Sequence, residues 1–273
     1  MNPTRTLLVA GTAVLLMACS SNRDRANNTP PPQPQIQPAQ GLSGSRSNDA
    51  TPPQRSQLRT DLAAGYYERG QMGVALEELA EAVRLDPDNG RAYNIYGLVY
   101  TVLGDDAKAT QSFQRALALA PDDSDIHHNW GWYLCTHGKA REALKEFEAA
   151  LRNPLYRTPE IALVNAGRCA ASLGEVNDAE AYYRRALASA PQDANAAYGL
   201  ALLAYKAARL QEARGLVKNA MARATPTPEA LYLGMCIERS LGDRQAELSY
   251  VSQLRNRYPD AAETRAIASG TCE

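Results

Sequence analysis

Two stretches of this chain superpose on each other at a fixed offset of 34 residues. YGLVYTVLGDDAKATQSFQRALALAPDD, from Tyr96, and WGWYLCTHGKAREALKEFEAALRNPLYR, from Trp130, align Gly97 with Gly131, Gly104 with Gly138, Ala109 with Ala143, Phe113 with Phe147 and Ala116 with Ala150. The pattern extends upstream through Ala63, Tyr66, Gly70, Ala75, Leu79, Ala82 and Pro87. Downstream, after a two-residue insertion in NPLYRTPE, it continues through Gly167, Gly174, Ala179, Tyr183, Ala186 and Pro191. A degenerate fifth copy carries Ala201, Ala208, Ala213, Val217 and Ala220, and a weaker sixth carries Met235, Gly242, Val251, Leu254 and Pro259, with Glu247 where a small residue is expected. A period of this length commits the chain to stacked supersecondary units, none of which buries its apolar face alone. Six units, near 56–89, 90–123, 124–159, 160–193, 194–227 and 228–261, account for residues 56–261, and a short tail, 262–273, caps the last.

Each unit reads as two antiparallel helices. Close approach needs a small residue on the first helix, such as Gly97 or Gly131, facing one on the second, such as Ala109 or Ala143, while Tyr96, Phe113, Trp130 and Phe147 fill the space beside them. Gly70, Gly104, Gly138, Gly174 and Gly242 supply the left-handed residue that ends a first helix. Second helices stop before Pro87, Pro121, Pro191 and Pro259, and the TPE at Thr158 and Thr227 places a capping Thr ahead of a Pro at the first helical position. These residues resemble the small-aromatic pattern of tetratricopeptide repeats. The expected fold is therefore all-α, without β-sheet, and the resemblance implies a right-handed superhelical solenoid of six repeats.

The N-terminus has a different character. One Arg, Arg5, precedes a largely apolar run from Leu7 to Met17, too short for a bilayer-spanning helix, so residues 1–18 read as a signal peptide. LMAC resembles the lipobox of bacterial lipoproteins, in which the Cys, here Cys19, is lipidated after the leader is cut. Ser20 follows rather than the Asp that often retains such proteins at the inner membrane, so the resemblance implies lipid anchoring at the periplasmic face of the outer membrane. Residues 19–55 then hold the lipidated Cys and a Pro-, Gln- and Ser-rich stretch with too little apolar surface to offset its ordering entropy. As a flexible tether it would span roughly 30–35 Å on average. Removing the leader takes one basic residue from 29 and none of the 30 acids, leaving 28 against 30. The mature chain is mildly acidic and has no electrostatic footprint for nucleic acid.

NWGWYLCTHGK, from Asn129, raises the question of a metal or catalytic site. His127, His128 and His137 lack the i, i+4 pairing with a carboxylate that a zinc helix uses. No Ser-His-Asp order, phosphate-binding Gly loop or isolated carboxylate pair stands out, so neither an enzyme nor a cofactor is expected beyond the covalent lipid on Cys19. Trp130 falls at a core position, whereas Trp132, by resemblance to the repeat family, lines the groove. Projecting the equivalent slots of the first helices assigns Tyr67, Arg91, Asn94, Leu98, Thr101, His128 and Trp132 to a partner-binding groove, with Tyr67, Leu98 and Trp132 as apolar anchors and Arg91 and Asn94 as polar clamps. Units four to six add Arg168, Tyr198, Leu202, Tyr205 and Tyr232; the first three units are preferred because the later copies are more degenerate and because of the family resemblance described below.

Once Cys19 is lipidated, Cys135, Cys169, Cys236 and Cys272 remain, an even number suited to an oxidising compartment. Three connectivities are open. Cys135 and Cys169 lie on neighbouring first helices, and Cys236 precedes a tail that ends near Cys272, which favours pairing 135 with 169 and 236 with 272 over the crossed pairings or four buried thiols.

Lipobox, tether and six repeats, with NWGWYLC in the third and NPLYRTPEIALVNAGRC leading into the fourth, resemble the type IV pilus biogenesis and stability family PilW/PilF over essentially the whole mature chain. His127 and His128 depart from the small polar residues more usual there. The resemblance implies a monomeric outer-membrane lipoprotein that acts as pilotin, binding the secretin subunit of the type IV pilus machine and promoting its multimerisation, with no small-molecule substrate. Rival readings are a repeat lipoprotein adaptor of outer-membrane protein insertion or cell-wall synthesis, and an enzyme regulator or cryptic hydrolase, which would need a pocket of perturbed acids that the sequence does not display.

Overall fold

The computed structural model describes residues 50–223, 225–270 and 272. The expected signal peptide, Cys19 and the tether through residue 49 lie outside the described residues. What is described is helical, with no strand among the described residues. Six hairpins follow one another: α1 (Pro52–Glu68) with α2 (Met72–Leu85), α3 (Gly90–Leu103) with α4 (Asp106–Leu119), α5 (Ser124–Thr136) with α6 (Ala140–Leu151), α7 (Pro159–Ser172) with α8 (Val176–Ser189), α9 (Ala194–Lys206) with α10 (Leu210–Arg223), and α11 (Pro228–Leu241) with α12 (Arg244–Arg257). A short α13 (Ala262–Ala266) and a 3-10 turn (Ile267–Ser269) complete the described chain. Among the described residues no helix is long and apolar enough to cross a membrane.

Helix α1 begins at Pro52, inside the stretch assigned to the tether. Thr51 and Gln54 form a reciprocal capping box, and Pro52 already has the backbone angle of a first helical residue, so the helix nucleates before the first apolar position. The same logic holds at Thr227, whose extended backbone lets its hydroxyl accept the Ala230 N–H at 3.3 Å. Thr158 differs: at φ −132°, ψ 52° it makes no side-chain cap, so the expected capping role is not realised there.

Gly70, Gly104, Gly138, Gly174 and Gly242 all adopt φ between 71° and 79° after the first helix of their units. The fifth unit has no such glycine, yet keeps the geometry. Ala208 takes φ 56°, and the turn closes with Ala208 N–H on the Tyr205 carbonyl and Arg209 N–H on the Ala204 carbonyl, at 2.9 and 2.8 Å.

Packing within a hairpin adds an aromatic ring to the small-on-small expectation. A Cβ added at Gly97 would lie 2.6 Å from the Phe113 ring, and one at Gly167 would lie 2.8 Å from the ring of Tyr183. The first-helix glycine is thus a seat for the aromatic ring of the second helix, and at Gly131 the backbone of the small residue, Ala143, also comes close, at 3.2 Å. Tyr183 is received on two sides, because a Cβ at Gly199 of the next unit would also run into its ring.

The sixth unit solves its anomaly with charge. Glu247, in the small-residue slot, is 4% exposed, and accepts from Arg239 Nε at 2.9 Å and Arg244 Nη1 at 2.7 Å. Glu238, equally buried, accepts from Arg214 Nε at 2.9 Å, while Arg214 Nη2 reaches Asp243 at 2.8 Å and so ties unit five to unit six. A buried carboxylate is tolerable where guanidinium groups lie against it in this way, by hydrogen bonds to both oxygens of Glu247 and by a hydrogen bond and ion pair to Glu238.

Candidate partner-binding site

The NWGWYLC stretch resolves into packing. Trp130 is 8% exposed, stacked on Tyr133 with ring centroids 5.3 Å apart and tilted against Phe113 at 5.5 Å. The three histidines point to separate partners. His127 bonds Glu146 at 2.6 Å and the Pro121 carbonyl at 2.7 Å, and its hydrogen bond to Glu146 raises its pKa. His137 sits between the Tyr133 carbonyl and Asp106. Among the described residues, no three His, Cys, Asp or Glu side chains gather where they could hold a metal.

The groove residues projected for units one to three divide into two groups. Tyr67, Leu98 and Trp132 are half-buried, each packed on the core by one side and open on the other, with Leu98 bridging the cores of units one to two and units three to four. Burial raises the Tyr67 pKa. Thr101 donates its hydroxyl to the Gly97 carbonyl at 2.7 Å. The polar members are engaged within the protein. Arg91 pairs with Asp61 at 2.6 Å across the first two units. Asn94 is only 3% exposed and accepts from Asn129 Nδ2 at 3.2 Å, so it is unavailable as a clamp on a partner.

His128 belongs to the same internal seam. Its Nε2 accepts from Asn165 Nδ2 at 3.0 Å, and its Nδ1 lies 2.7 Å from the hydroxyl of Tyr156. Asn94 to Asn129 and His128 to Asn165 are successive rungs joining α3 to α5 and α5 to α7 by equivalent positions. Tyr156, absent from the sequence-derived set, is 9% exposed. Its signal was the one aromatic residue inside the NPLYRTPE insertion.

Cysteines 135 and 169 form a disulfide between α5 and α7, with Cα atoms 5.9 Å apart. Cys236 of α11 and Cys272 of the tail form another, at 5.6 Å. The tail is also held by Tyr205 Oη donating to the Cys272 carbonyl at 3.2 Å and by Arg239 Nη1 donating to the Gly270 carbonyl at 2.8 Å.

Beside that tail, the aromatic residues projected for the later units come together. Tyr198, Leu202, Tyr205 and Tyr232 line a hollow of about 710 Å³, floored by Leu233 and walled by α13. Arg168 lines an adjoining hollow of about 380 Å³ that shares Tyr198 and Glu229. The degeneracy of the fifth and sixth repeats is thus no guide to where the surface is concave. The sequence placed the tail over the last unit as a cap; the structure adds that the tail also walls this hollow.

Half-buried aromatic and aliphatic side chains presented on successive first helices make a surface of the kind that suits a polypeptide segment. The sequence profile of the tetratricopeptide repeat matches residues 60–124, 128–194 and 170–229. The solved structure of PilW, a widely conserved type IV pilus biogenesis factor, superposes with a TM-score of 0.73 at 33% identity, over 78% of this chain and 98% of that one. The chain belongs to the PilW/PilF family of tetratricopeptide-repeat proteins. The type IV pilus assembly protein PilF of Pseudomonas aeruginosa is 24% identical over 202 residues, which is 74% of this chain and 80% of that protein. A solved structure of Pseudomonas aeruginosa PilF shares the fold, with a TM-score of 0.73 over 80% of this chain. The PilW/PilF assignment thus rests on likeness over 98% of the solved PilW chain and 80% of the PilF protein, and not on the generic repeat alone.

Proposed function

We propose that this protein is an outer-membrane lipoprotein that serves as pilotin for type IV pilus biogenesis: it binds a secretin subunit, brings it to the outer membrane and promotes its multimerisation. The single observation that carries the reading is the match to PilW across 98% of that chain. It is supported by the lipobox-like LMAC ending at Cys19 and by the half-buried Tyr67, Leu98 and Trp132 on adjacent units.

The mechanism requires binding and no catalysis. Acyl chains on Cys19 set the address, since each buried methylene contributes about 0.8 kcal/mol and several chains together anchor stably. The Pro- and Gln-rich tether gives the repeats reach. The face of the first helices receives a segment of the secretin subunit, Tyr67, Leu98 and Trp132 being the anchors and the lipid on Cys19 the one attached group. Confining subunits to a shell below the membrane raises their effective concentration and favours ring assembly.

The test is deletion of the gene, followed by gel analysis of heat-resistant secretin multimers and fractionation of the monomer. Loss of multimers with monomer retained, restored by the wild-type gene and not by a Cys19→Ser form, is the expected result. Normal multimers and normal pili after deletion would refute the reading.

A further inference from the structure

We infer that units five and six hold a docking hollow of their own, which takes a polypeptide segment carrying an aromatic or aliphatic side chain beside a lysine or arginine, and that the Cys236–Cys272 disulfide builds one wall of it. This goes beyond the pilotin reading, which places the secretin segment on units one to three and does not depend on the later hollow.

The apolar half of the claim comes from the lining. Tyr198, Leu202 and Tyr205 of α9 face Tyr232 and Leu233 of α11 across about 710 Å³, enough for one or two large side chains. Tyrosines there offer rigid area at small entropic cost.

The charge preference comes from the ends of the hollow. At the Tyr198 end stand Glu229, at the start of α11, and Glu263 of α13; both carboxylates act on the Tyr198 hydroxyl, whose pKa is raised chiefly by burial and further by these two charges. Among the described residues neither glutamate pairs with a cation. Arg168 approaches the same ring from the adjoining hollow, leaving two carboxylates against one guanidinium. Lys206 lies eight residues on, about 12 Å further along α9. The occupant is therefore oriented, its cationic side chain at Tyr198 and its acidic or carboxyl-terminal end at Lys206.

The disulfide is the covalent tie of the wall, beside the hydrogen bond from the Thr264 hydroxyl to the Tyr258 carbonyl at 2.6 Å and those of Tyr205 and Arg239 to the tail. Helix α13 contributes Ala262, Glu263 and Ala266 to the lining, yet none of its own residues is buried, and five residues cannot hold a helix in place by propensity. Cys272, bonded to Cys236 at the floor of the hollow, fastens the segment there.

The experiment selects a random peptide library displayed on phage against the purified full-length lipoprotein in detergent. The enriched sequences are expected to combine an aromatic or aliphatic residue with Lys or Arg. Synthetic copies should bind about tenfold or more weakly to Glu229→Gln/Glu263→Gln and to Cys236→Ser/Cys272→Ser, and equally well to Trp132→Ala. Circular dichroism melts accompany each variant; if the double serine form is unfolded, the charge variant decides alone. No enrichment, an acidic consensus, or peptides indifferent to both hollow variants overturns the inference. So does self-association in sedimentation that the hollow variants abolish, which would give the hollow to a second copy. Secretin multimers are scored separately in cells, so either reading can fail while the other stands.

Discussion

His128 of α5 and Tyr156 of the insertion share a hydrogen bond of 2.7 Å, Nδ1 to Oη, that fastens the loop between units three and four onto the third first-helix. Because Asn165 donates to Nε2, the neutral ring carries its proton on Nδ1, pointing at Tyr156. Burial pushes the His128 pKa down to about 4.

A pH dependence follows from that ring. In the unfolded chain the imidazole titrates near its ordinary value of about 6.5. Between there and about 4 the unfolded state binds a proton that the folded state does not, so the contribution of His128 is fully present above about pH 6.5 and is lost as the pH falls, by roughly 3 kcal/mol in all. His127 works in the opposite direction, since Glu146 raises its pKa and favours the protonated fold. Urea unfolding of wild type and His128→Gln between about pH 7 and about pH 4.5 should show a steeper loss for wild type. Parallel curves would sink the assignment.

Ala208 occupies a left-handed site that its sister units fill with glycine. An alanine there costs about 1–2 kcal/mol, against a smaller entropic cost of glycine in the unfolded chain. Ala208→Gly should stabilise the domain by about 0.5–1 kcal/mol, and Gly174→Ala should destabilise it by a similar amount. Thermal midpoints moving in the reverse sense would contradict the reading of this turn.

Gly97 leaves room for a ring. A methyl added there meets Phe113 at 2.6 Å, and Gly97→Ala should therefore cost about 1–3 kcal/mol. Combining it with Phe113→Leu should cost less than the sum of the two single changes, because the shortened side chain vacates the contested space. Strict additivity in a double-mutant cycle would show that the two residues do not compete.

The Cys135–Cys169 bridge joins positions 34 residues apart. Replacing both by Ser should cost about 3–4 kcal/mol on the chain-entropy account. Alkylation in denaturant without reductant, read by intact mass, should add no label to the native protein; four labels would exclude both bridges.

What the sequence by itself determines here is the repeat: its period, the placement of turns and small residues, the helical class and the proximity of Cys135 to Cys169. These are local or nearest-neighbour properties, set by backbone geometry and by contacts that recur every 34 residues. Tertiary structure alone decided which slots face outward. Asn94 and His128 occupy positions that the period assigns to the groove, yet Asn129 and Asn165, each in the next unit, and Tyr156, in the loop that ends the third, draw them inward. Glu247 breaks the small-residue rule and is neutralised by Arg239 and Arg244, and the hollow of units five and six exists because a non-repeating tail folds back onto α11. A period carries no information about residues that occur once, and the burial of a polar side chain depends on the partner it finds in three dimensions rather than on its place in the pattern.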